Sequence, residues 1–254
     1  MTVTNKTVLI TGASRGIGEA TARHLADLGH NVVLAARSGG AIETIAQEIN
    51  DAGGKALAVT CDVSDWASVS DLVAKTEERF GPVDVLVNNA GVIDPIARID
   101  ESDPEEWGKV VDINVKGVYY GFRAVLPSMV ERGEGTIINI SSGAATGALE
   151  GWSHYCATKA AVLSLTKCGD VEYRDKGIRI MGLSPGTVAT DMQVKIKASG
   201  VNPVSQLDFS SHIPPEWVAK GIAFLLTEGG DAFRGTDFSL KTDEGRRLAG
   251  LPAA

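Results

Sequence analysis

Short apolar runs rich in β-branched residues alternate with longer stretches of helical periodicity along most of the chain. Six of these runs are continuous rather than alternating, a pattern typical of strands buried on both faces of a parallel sheet. They read TVLI, NVVLAA, KALAVT, DVLVNN, GTIINI and IRIMGL, with DFSLK as a weaker seventh. Helical spacing falls between them, at residues 16–28, 40–52, 65–79, 104–131 and 153–174.

This alternation of strand and helix predicts a doubly wound α/β fold. Right-handed β-α-β units give one seven-stranded, mainly parallel sheet with helices on both faces, and no stretch of residues 1–254 resembles an interdomain linker. Residues 193–215 fit neither the strand pattern nor the helix pattern. Because long irregular loops in compact domains are commonly functional, we expect them to form a substrate lid. Ligands of such folds bind beyond the carboxyl ends of the strands, so we expect the loops there to carry the chemistry.

Composition and charge argue against several classes of protein. The 254 residues carry a formal net charge of -8, which argues against a sequence-independent nucleic-acid surface. The three cysteines are far apart and form no metal-binding spacing with histidine, so we expect a reduced, cytoplasmic chain without a metal. The N-terminal segment has no apolar core behind a basic stretch, and no apolar run is long enough to cross a bilayer. We therefore expect neither export nor membrane insertion.

The stretch TGASRGIGEA places three glycines directly after the first predicted strand. Glycine inside a helix costs about 1 kcal/mol, so three of them at a helix start need a reason. Gly12 can turn the chain, Gly16 can let a ligand phosphate approach the amides, and Gly18 can let the helix lie close to the sheet. The amides and the positive dipole end of that helix favour an anion. The spacing is not that of a Walker P-loop, and a cluster of ordinary turns is the alternative.

Four further motifs lie at predicted strand ends or in the helices that follow. They are NNAG at 88–91, DINVKG at 112–117, ISS at 140–142 and YCATK at 155–159. Together with the glycine loop, and in this order, they resemble the short-chain dehydrogenase/reductase family over almost the whole chain. Each motif is weak alone, whereas the ordered set is specific. The resemblance implies a single Rossmann-type dinucleotide-binding catalytic domain that transfers hydride between a nicotinamide and a carbonyl or alcohol.

Tyr155 and Lys159 are four residues apart, so a helix places both side chains on one face, although such pairs also arise by chance. The resemblance assigns the tyrosine as general acid or base and the lysine as a ligand of the nicotinamide ribose. A free phenol has a pKa of about 10. A cation about 4 Å away, at an effective dielectric of roughly 20, supplies about 4 kcal/mol, or roughly three pKa units. We therefore expect Lys159 to bring the pKa of Tyr155 towards neutrality.

Two further catalytic residues follow from the same resemblance. Ser142 stands 13 residues before Tyr155, which is the family's spacing, and is expected to donate a hydrogen bond to the substrate oxygen. Its neighbour Ser141 is the competing candidate, since a Ser-Ser pair at a strand end is also a turn signal. Asn114 is expected to position a water that links Lys159 to solvent, the alternative being an ordinary solvent-facing or backbone-bonded amide.

The resemblance also implies a set of cofactor-binding residues. Asp62 would contact the adenine, the NNAG motif with Asn88 would border the adenosine, and the SPGTVAT loop would present Thr190 to the carboxamide. The full set comprises Gly12, Ser14, Arg15, Gly16, Ile17, Gly18, Arg37, Asp62, Val63, Asn89, Ala90, Gly91, Tyr155, Lys159, Pro185, Gly186, Val188 and Thr190.

The end of the second predicted strand indicates which dinucleotide is used. Folds that choose NAD usually place an acidic residue there to bind the ribose 2′-hydroxyl. Here the strand ends at Ala36 and Arg37, without a carboxylate. Arg37 and Arg15 offer two permanently charged guanidinium groups that suit a phosphate dianion. We therefore predict NADP(H) rather than NAD(H).

Substrate identity is less clearly encoded. Leu149, Trp152, His154 and Met192 lie near the expected pocket mouth, and we assign His154 no catalytic role. The polar lid favours a small or medium polar carbonyl or secondary alcohol as substrate. The alternatives are a 3-oxoacyl-[acyl-carrier-protein] reductase, which the negative charge disfavours, and an NAD-linked alcohol or sugar dehydrogenase. A non-catalytic NADP-binding regulator is a third, but such a protein would not need a serine and a tyrosine at these positions.

The tail KTDEGRRLAGLPAA departs from the Asp-Gly-Gly ending usual in the family and leaves Glu244 where a glycine is expected. This departure bears on the subunit contacts. We expect a homo-oligomer, either a tetramer or a dimer.

Overall fold

The computed structural model describes residues 5–253. Its strands are β1 (Thr7–Thr11), β2 (Asn31–Ala36), β3 (Lys55–Thr60), β4 (Val85–Asn88), β5 (Gly135–Ile140), β6 (Ile178–Ser184) and β7 (Asp237–Ser239). They form one sheet in the order β3-β2-β1-β4-β5-β6-β7, and every neighbouring pair is parallel.

Nine α-helices are found within residues 5–253. They are α1 (Gly16–Asp27), α2 (Gly39–Asp51), α3 (Trp66–Phe80), α4 (Pro104–Val111), α5 (Gly117–Arg132), α6 (Ser153–Tyr173), α7 (Asp191–Ser199), α8 (Pro215–Leu225) and α9 (Asp243–Leu248). A π-helical turn, Asp112–Lys116, joins α4 to α5. Local caps fix several of these helices: Asp65, for example, accepts hydrogen bonds from two backbone amides at the start of α3.

Two apolar layers cover the two faces of the sheet. One is built on α1, α2 and α8 and includes Leu25, Ile42 and Ile222. The other is built on α3, α5 and α6 and includes Leu72 and Phe122. Every residue of β1 is buried, as expected for a strand covered on both faces. The predicted doubly wound α/β fold is therefore confirmed, with a sheet that is wholly parallel.

The structure differs from the sequence prediction in its last third. Residues 193–215 are not one irregular loop, because α7 occupies Asp191–Ser199 and two short 3-10 turns follow. Helix α8 begins at Pro215, within a Pro-Pro pair that indicated only a break, since proline fits the first turn of a helix. The helix predicted over 104–131 is real but is divided by the π-helical turn.

Strand order reverses at β1, which lies between β2 on one side and β4 on the other. A crevice opens beyond the carboxyl ends of the strands at such a point, and it is the usual ligand site of this architecture. The loops after β1, β4, β5 and β6 all open onto this crevice. The fold thus brings together sequence motifs that are far apart along the chain.

Candidate active site

A single continuous cleft of about 1220 Å³ runs along this edge of the sheet. Of the predicted catalytic and cofactor-binding residues, all line it except Gly18 and Asn114. Three predicted pocket-mouth residues, Leu149, Trp152 and Met192, line it as well. The sequence-predicted site is therefore one connected cleft in the structure.

The glycine loop is shaped by close backbone packing. Gly12 has a φ of 65°, and a Cβ on it would lie 2.8 Å from the Cα of Ala90. A Cβ on Gly18 would lie 2.4 Å from the carbonyl oxygen of Gly12, so no side chain fits there. Asn89 fixes the loop by donating from Nδ2 to the carbonyls of Thr11 and Gly12, at 2.9 and 3.0 Å. Gly18 thus supports the loop from behind, while Gly12 faces the cleft.

The cleft fits a dinucleotide phosphate at this end. Helix α1 starts after Arg15 without any side-chain cap, so its first amides are free to bind an anion. Arg15 and Arg37 both line the cleft, and the guanidinium group of Arg15 lies 3.1 Å from the carboxylate of Asp191, at the start of α7. Hydrogen bonds from Ser64 hold the pKa of Asp62 below its ordinary value, and the positive charge of Arg37 acts in the same direction.

Tyr155, Lys159 and Ser142 meet at the other end of the cleft. Lys159 lies on the same face of α6 as Tyr155, with its Nζ 5.6 Å from the centre of the phenol ring. That Nζ donates a hydrogen bond of 2.7 Å to the carbonyl of Ile140, at the end of β5. Tyr155 and Lys159 are 8% and 7% exposed, so both polar groups lie in a largely water-free environment.

Burial sets the pKa of both groups. Burial raises the pKa of Tyr155 to about 12, although its hydrogen bond with Ser142 acts in the opposite direction. Burial also lowers the pKa of Lys159 to about 8, against the raising effect of the Asp237 carboxylate. The expectation that Lys159 lowers the pKa of Tyr155 is therefore wrong for this structure. Removing a phenolate from water is the largest effect on the pKa of Tyr155, and the amine of Lys159 is directed at the carbonyl of Ile140.

Asn114 sits inside the π-helical turn and uses its amide to join two parts of the site. Its Oδ1 accepts from the amide of Val92 at 2.9 Å, and its Nδ2 donates to the carbonyl of the same residue at 2.9 Å. A third bond, at 3.1 Å, runs to the hydroxyl of Thr158 on α6. The side chain is buried and does not line the cleft, so it ties the loop after β4 to the helix that carries Tyr155.

The two candidate serines, Ser141 and Ser142, differ in their hydrogen bonds. The hydroxyl of Ser141 donates a 2.6 Å hydrogen bond to Oδ2 of Asp237, so its proton is already engaged. The Oγ of Ser142 accepts a bond from the amide of Ala144, at 3.2 Å, and its hydroxyl hydrogen remains free for Tyr155 or a substrate. The geometry favours Ser142, as the spacing did.

Asp237, which accepts the hydrogen bond from Ser141, was not predicted from the sequence as a residue of the site. Its Oδ1 is buried without a hydrogen-bond partner, and burial raises the pKa of the carboxyl group. A Cβ on Gly182, the paired residue of β6, would lie 1.8 Å from that oxygen, so Asp237 requires a glycine beside it. An acidic residue in a predicted strand was the available signal, but its burial beside Ser141 depends on strand pairing.

Two residues near the motifs lie outside the cleft. Asn88 is buried and donates from its amide to the side chain of Asn139, at 2.9 Å, so the expectation that it borders the adenosine is wrong. His154 is fully buried, with Nε2 2.6 Å from the carbonyl of Ile93, so the expectation that it lies near the pocket mouth is wrong.

Apolar residues pack against the ring of Tyr155. Trp152 packs edge-on against the ring of Tyr155, with 5.6 Å between the ring centres. The cluster is completed by residues from the loop after β4, from the loop after β5 and from α7, among them Ile93, Ala144, Leu149, Met192 and Ile196. This end of the cleft therefore suits the hydrocarbon part of an organic substrate.

Residues 5–253 contain no cluster of histidine, cysteine and acidic side chains that could hold a metal ion. None of the described helices is long and apolar enough to cross a membrane.

A dinucleotide-sized cleft at the strand-order reversal, closed by a buried tyrosine and lysine and by a partly buried serine, defines the class of nicotinamide-dependent oxidoreductases. The family model described as short chain dehydrogenase matches residues 6–200. The chain belongs to the short-chain dehydrogenase/reductase family, whose members act on alcohol or ketone substrates with a nicotinamide cofactor.

Two relatives match nearly the whole chain. A 2,5-dichloro-2,5-cyclohexadiene-1,4-diol dehydrogenase of Sphingobium indicum is 34% identical, covering 92% of this chain and 94% of its own. A 3-oxoacyl-[acyl-carrier-protein] reductase of Synechocystis is 37% identical, covering 91% and 93%.

Solved structures show the same fold with either cofactor. An actinorhodin polyketide ketoreductase with NADPH has a TM-score of 0.86 at 31% identity, covering 93% of this chain and 95% of its own. A 3-ketoacyl-(acyl-carrier-protein) reductase of Brucella melitensis with NADH has a TM-score of 0.82 at 33% identity, covering 92% and 96%. These neighbours leave the choice between NADP and NAD open.

Replacing Lys159 by Met is expected to stabilise the fold at pH 7. The folded-state pKa of about 8 lies below the ordinary 10.5, so the unfolded chain binds the proton more tightly and the buried lysine costs stability below pH 8. That cost is at most on the order of 3 kcal/mol, a figure that already includes the attraction to Asp237, and it fades as the pH rises from 8 towards 10. Above pH 10 ionisation of Tyr155 in the unfolded chain opposes folding.

Urea denaturation of both proteins at pH 7 and pH 9.5 measures this effect. The stability difference should narrow at the higher pH, whereas the exposed Lys220→Met control should show no such trend. A Lys159→Met protein that is less stable than wild type at pH 7 would contradict the assigned burial cost.

Proposed function

We propose that the protein is an NADP(H)-dependent reductase that interconverts a carbonyl and a secondary alcohol on a small or medium substrate. The observation that carries the cofactor choice is Arg37, which directly follows β2 in the cleft where NAD-selective folds place a carboxylate. Arg15, which lines the same cleft, adds a second cation for a 2′-phosphate.

Different groups of cleft residues would bind different parts of the cofactor. The glycine loop with Arg15 and Arg37 would bind the phosphates, while Asp62, Val63 and the segment Asn89–Ala90–Gly91 would border the adenosine. Lys159 and the loop Pro185, Gly186, Val188 and Thr190 would hold the nicotinamide end. When bound, the nicotinamide supplies or accepts the hydride.

The protein's own chemistry is proton transfer to the reacting oxygen. In the proposed reduction Ser142 donates a hydrogen bond to the carbonyl oxygen, and the Oη of Tyr155 gives that oxygen its proton. Burial raises the pKa of Tyr155 to about 12, so the phenol carries at neutral pH the proton that this transfer requires.

Replacing Arg37 by Asp is expected to weaken NADPH binding roughly 10- to 100-fold and to leave NADH binding unchanged or improved. A lost charge-assisted hydrogen bond to phosphate is worth about 1.5–3 kcal/mol, and the new carboxylate repels the 2′-phosphate while accepting a ribose hydroxyl. Fluorescence titration of both cofactors gives the ratio of the two dissociation constants. Arg98→Asp, an exposed arginine outside the cleft, is the control. An unchanged ratio in Arg37→Asp would refute the NADP(H) assignment.

An acyl-carrier-protein reductase is the second candidate, since one relative by sequence and one similar solved structure carry names of this kind. Its acidic partner needs a basic docking face, whereas this chain has a net charge of -8. Turnover of an acyl-carrier-protein substrate in preference to free ketones would favour it. An NAD-linked alcohol or sugar dehydrogenase would instead show a preference for NAD, and a non-catalytic NADP-binding regulator would bind cofactor without turnover.

The chain is further proposed to be one catalytic domain over residues 1–254, with residues 193–215 as the lid, located in the cytoplasm. A homo-oligomer, a tetramer or a dimer, would use α5 and α6. Both helices expose apolar or aromatic side chains away from the cleft, Tyr119 at 49% and Val171 at 83%. Large exposed apolar groups on neighbouring helices are typical of subunit contacts.

A further inference from the structure

Lys241 lies at the substrate end of the cleft. It follows β7, and the preceding Leu240 is tied to β6 by a 3.0 Å bond from its amide to the carbonyl of Ser184. The side chain then crosses two glycines: its Cγ lies 3.0 Å from where a Cβ on Gly186 would be, and its Nζ lies 3.8 Å from where a Cβ on Gly143 would be. The ammonium group is thereby placed between the loop after β6 and the loop that follows Ser142.

The ammonium group of Lys241 has no partner within residues 5–253. Its Nζ takes part in no ion pair or hydrogen bond there, whereas the backbone amide of Lys241 donates to the hydroxyl of Ser239, and the residue is exposed in the cleft lining. Other cations at this end are engaged: Lys195 pairs with Asp94, and Arg246 donates from Nε to the carbonyl of Leu240 at 2.9 Å. Glu216 also lines the cleft but lies in no ion pair with Lys241.

Lys241 lies in the unusual tail of the chain. The departure from the family's Asp-Gly-Gly ending begins at KTDEG, and its first residue is this lysine. Its ammonium group adds a positive charge to the cleft lining beside Gly143, the residue that follows Ser142.

We propose that Nζ of Lys241 binds an anionic group of the substrate, so that the enzyme acts on short oxo acids and the corresponding hydroxy acids. This inference rests on the proposed carbonyl reduction and names its substrate class. The ammonium lies within about 5 Å of the Cα of Gly143, and consecutive Cα atoms are about 3.8 Å apart, so it lies within about 9 Å of the Cα of Ser142. A carboxylate only a few bonds from the carbonyl carbon spans that distance.

Steady-state kinetics on matched substrate pairs test the site. The probes are levulinate against methyl levulinate and acetoacetate against methyl acetoacetate, which differ in the negative charge. In Lys241→Gln the KM for the acids should rise roughly 10- to 100-fold, the effect of losing one charged hydrogen bond, while the KM for the esters stays within about twofold. Lys241→Arg should retain the preference for acids, Lys241→Glu should reverse it, and the exposed control Lys220→Gln should change neither.

Three outcomes separate failure of this site from failure of the reductase. Equal changes for acids and esters would overturn the site alone. A weaker affinity of Lys241→Gln for NADPH, measured by fluorescence, would overturn it too, because the lysine would then serve the cofactor. Should wild type turn over no carbonyl, titration of the NADPH-loaded protein with levulinate still decides: binding lost in Lys241→Gln would uphold the site and overturn the reductase, and no binding would overturn both.

Discussion

Tyr155→Phe is expected to lose turnover by roughly 10²- to 10⁴-fold, because the substitution deletes the hydroxyl that supplies the proton and leaves the ring in place. The edge-on packing against Trp152 needs only the ring, so the fold should be retained. NADPH affinity should remain within a few-fold of wild type. Steady-state kinetics measured at the nicotinamide absorbance band give the first quantity, and fluorescence titration gives the second.

Tyr173→Phe is the matched control, since Tyr173 ends the same helix outside the cleft. Its turnover should equal that of wild type. Undiminished turnover in Tyr155→Phe, with the control normal, would remove Tyr155 from the mechanism and with it the proposed proton transfer. A parallel loss of NADPH binding would instead show that the hydroxyl serves the cofactor.

Gly18→Ala is expected to destabilise the protein by about 1–3 kcal/mol, as overpacking of a tight contact does, and to weaken NADPH binding at least tenfold. The added methyl group would lie 2.4 Å from the carbonyl oxygen of Gly12 and 2.8 Å from the Cα of Ala13. Both obstacles are backbone atoms, so the loop must move as a unit. Thermal denaturation and cofactor titration report the two effects.

Gly108→Ala is the matched control for Gly18→Ala, because it adds the same methyl group at a position where there is space for it. Gly108 also lies within a helix, but a Cβ on it meets no atom within 4 Å. The substitution should therefore stabilise the protein by up to about 1 kcal/mol through higher helix propensity and leave cofactor affinity unaltered. Equal responses at the two positions would show that the close approach at Gly18 is not what requires a glycine.

The sheet could be predicted almost residue by residue because its strands are continuous apolar runs. The run NVVLAA, for instance, coincides with β2 at Asn31–Ala36. Helix α8 was not predicted. Its buried residues, among them Val218, Ile222 and Leu225, do recur at helical spacing, but the Pro-Pro pair at its start indicated only a break, although proline fits the first turn of a helix. The π-helical turn around Asn114 has no periodic signature of its own.

The positions of the site residues were predictable from motif order, whereas their electrostatics were not. A Coulomb estimate between Tyr155 and Lys159 needs only their spacing. The opposing cost depends on how completely other elements exclude water from the phenol, and that is a property of the folded cleft. Asp237 lies almost 80 residues beyond Lys159 in the sequence, yet its carboxylate is the charge that raises the lysine's pKa.

The pairing of Gly182 with Asp237 affects the order in which substitutions at these two positions can occur during evolution. Alanine at position 182 collides with the carboxylate oxygen as long as the aspartate is present, but not once that side chain has been shortened. We therefore expect substitution of position 237 to precede substitution of Gly182. Return to it requires the glycine before the acid, so the two sites should vary together among descendants of this protein.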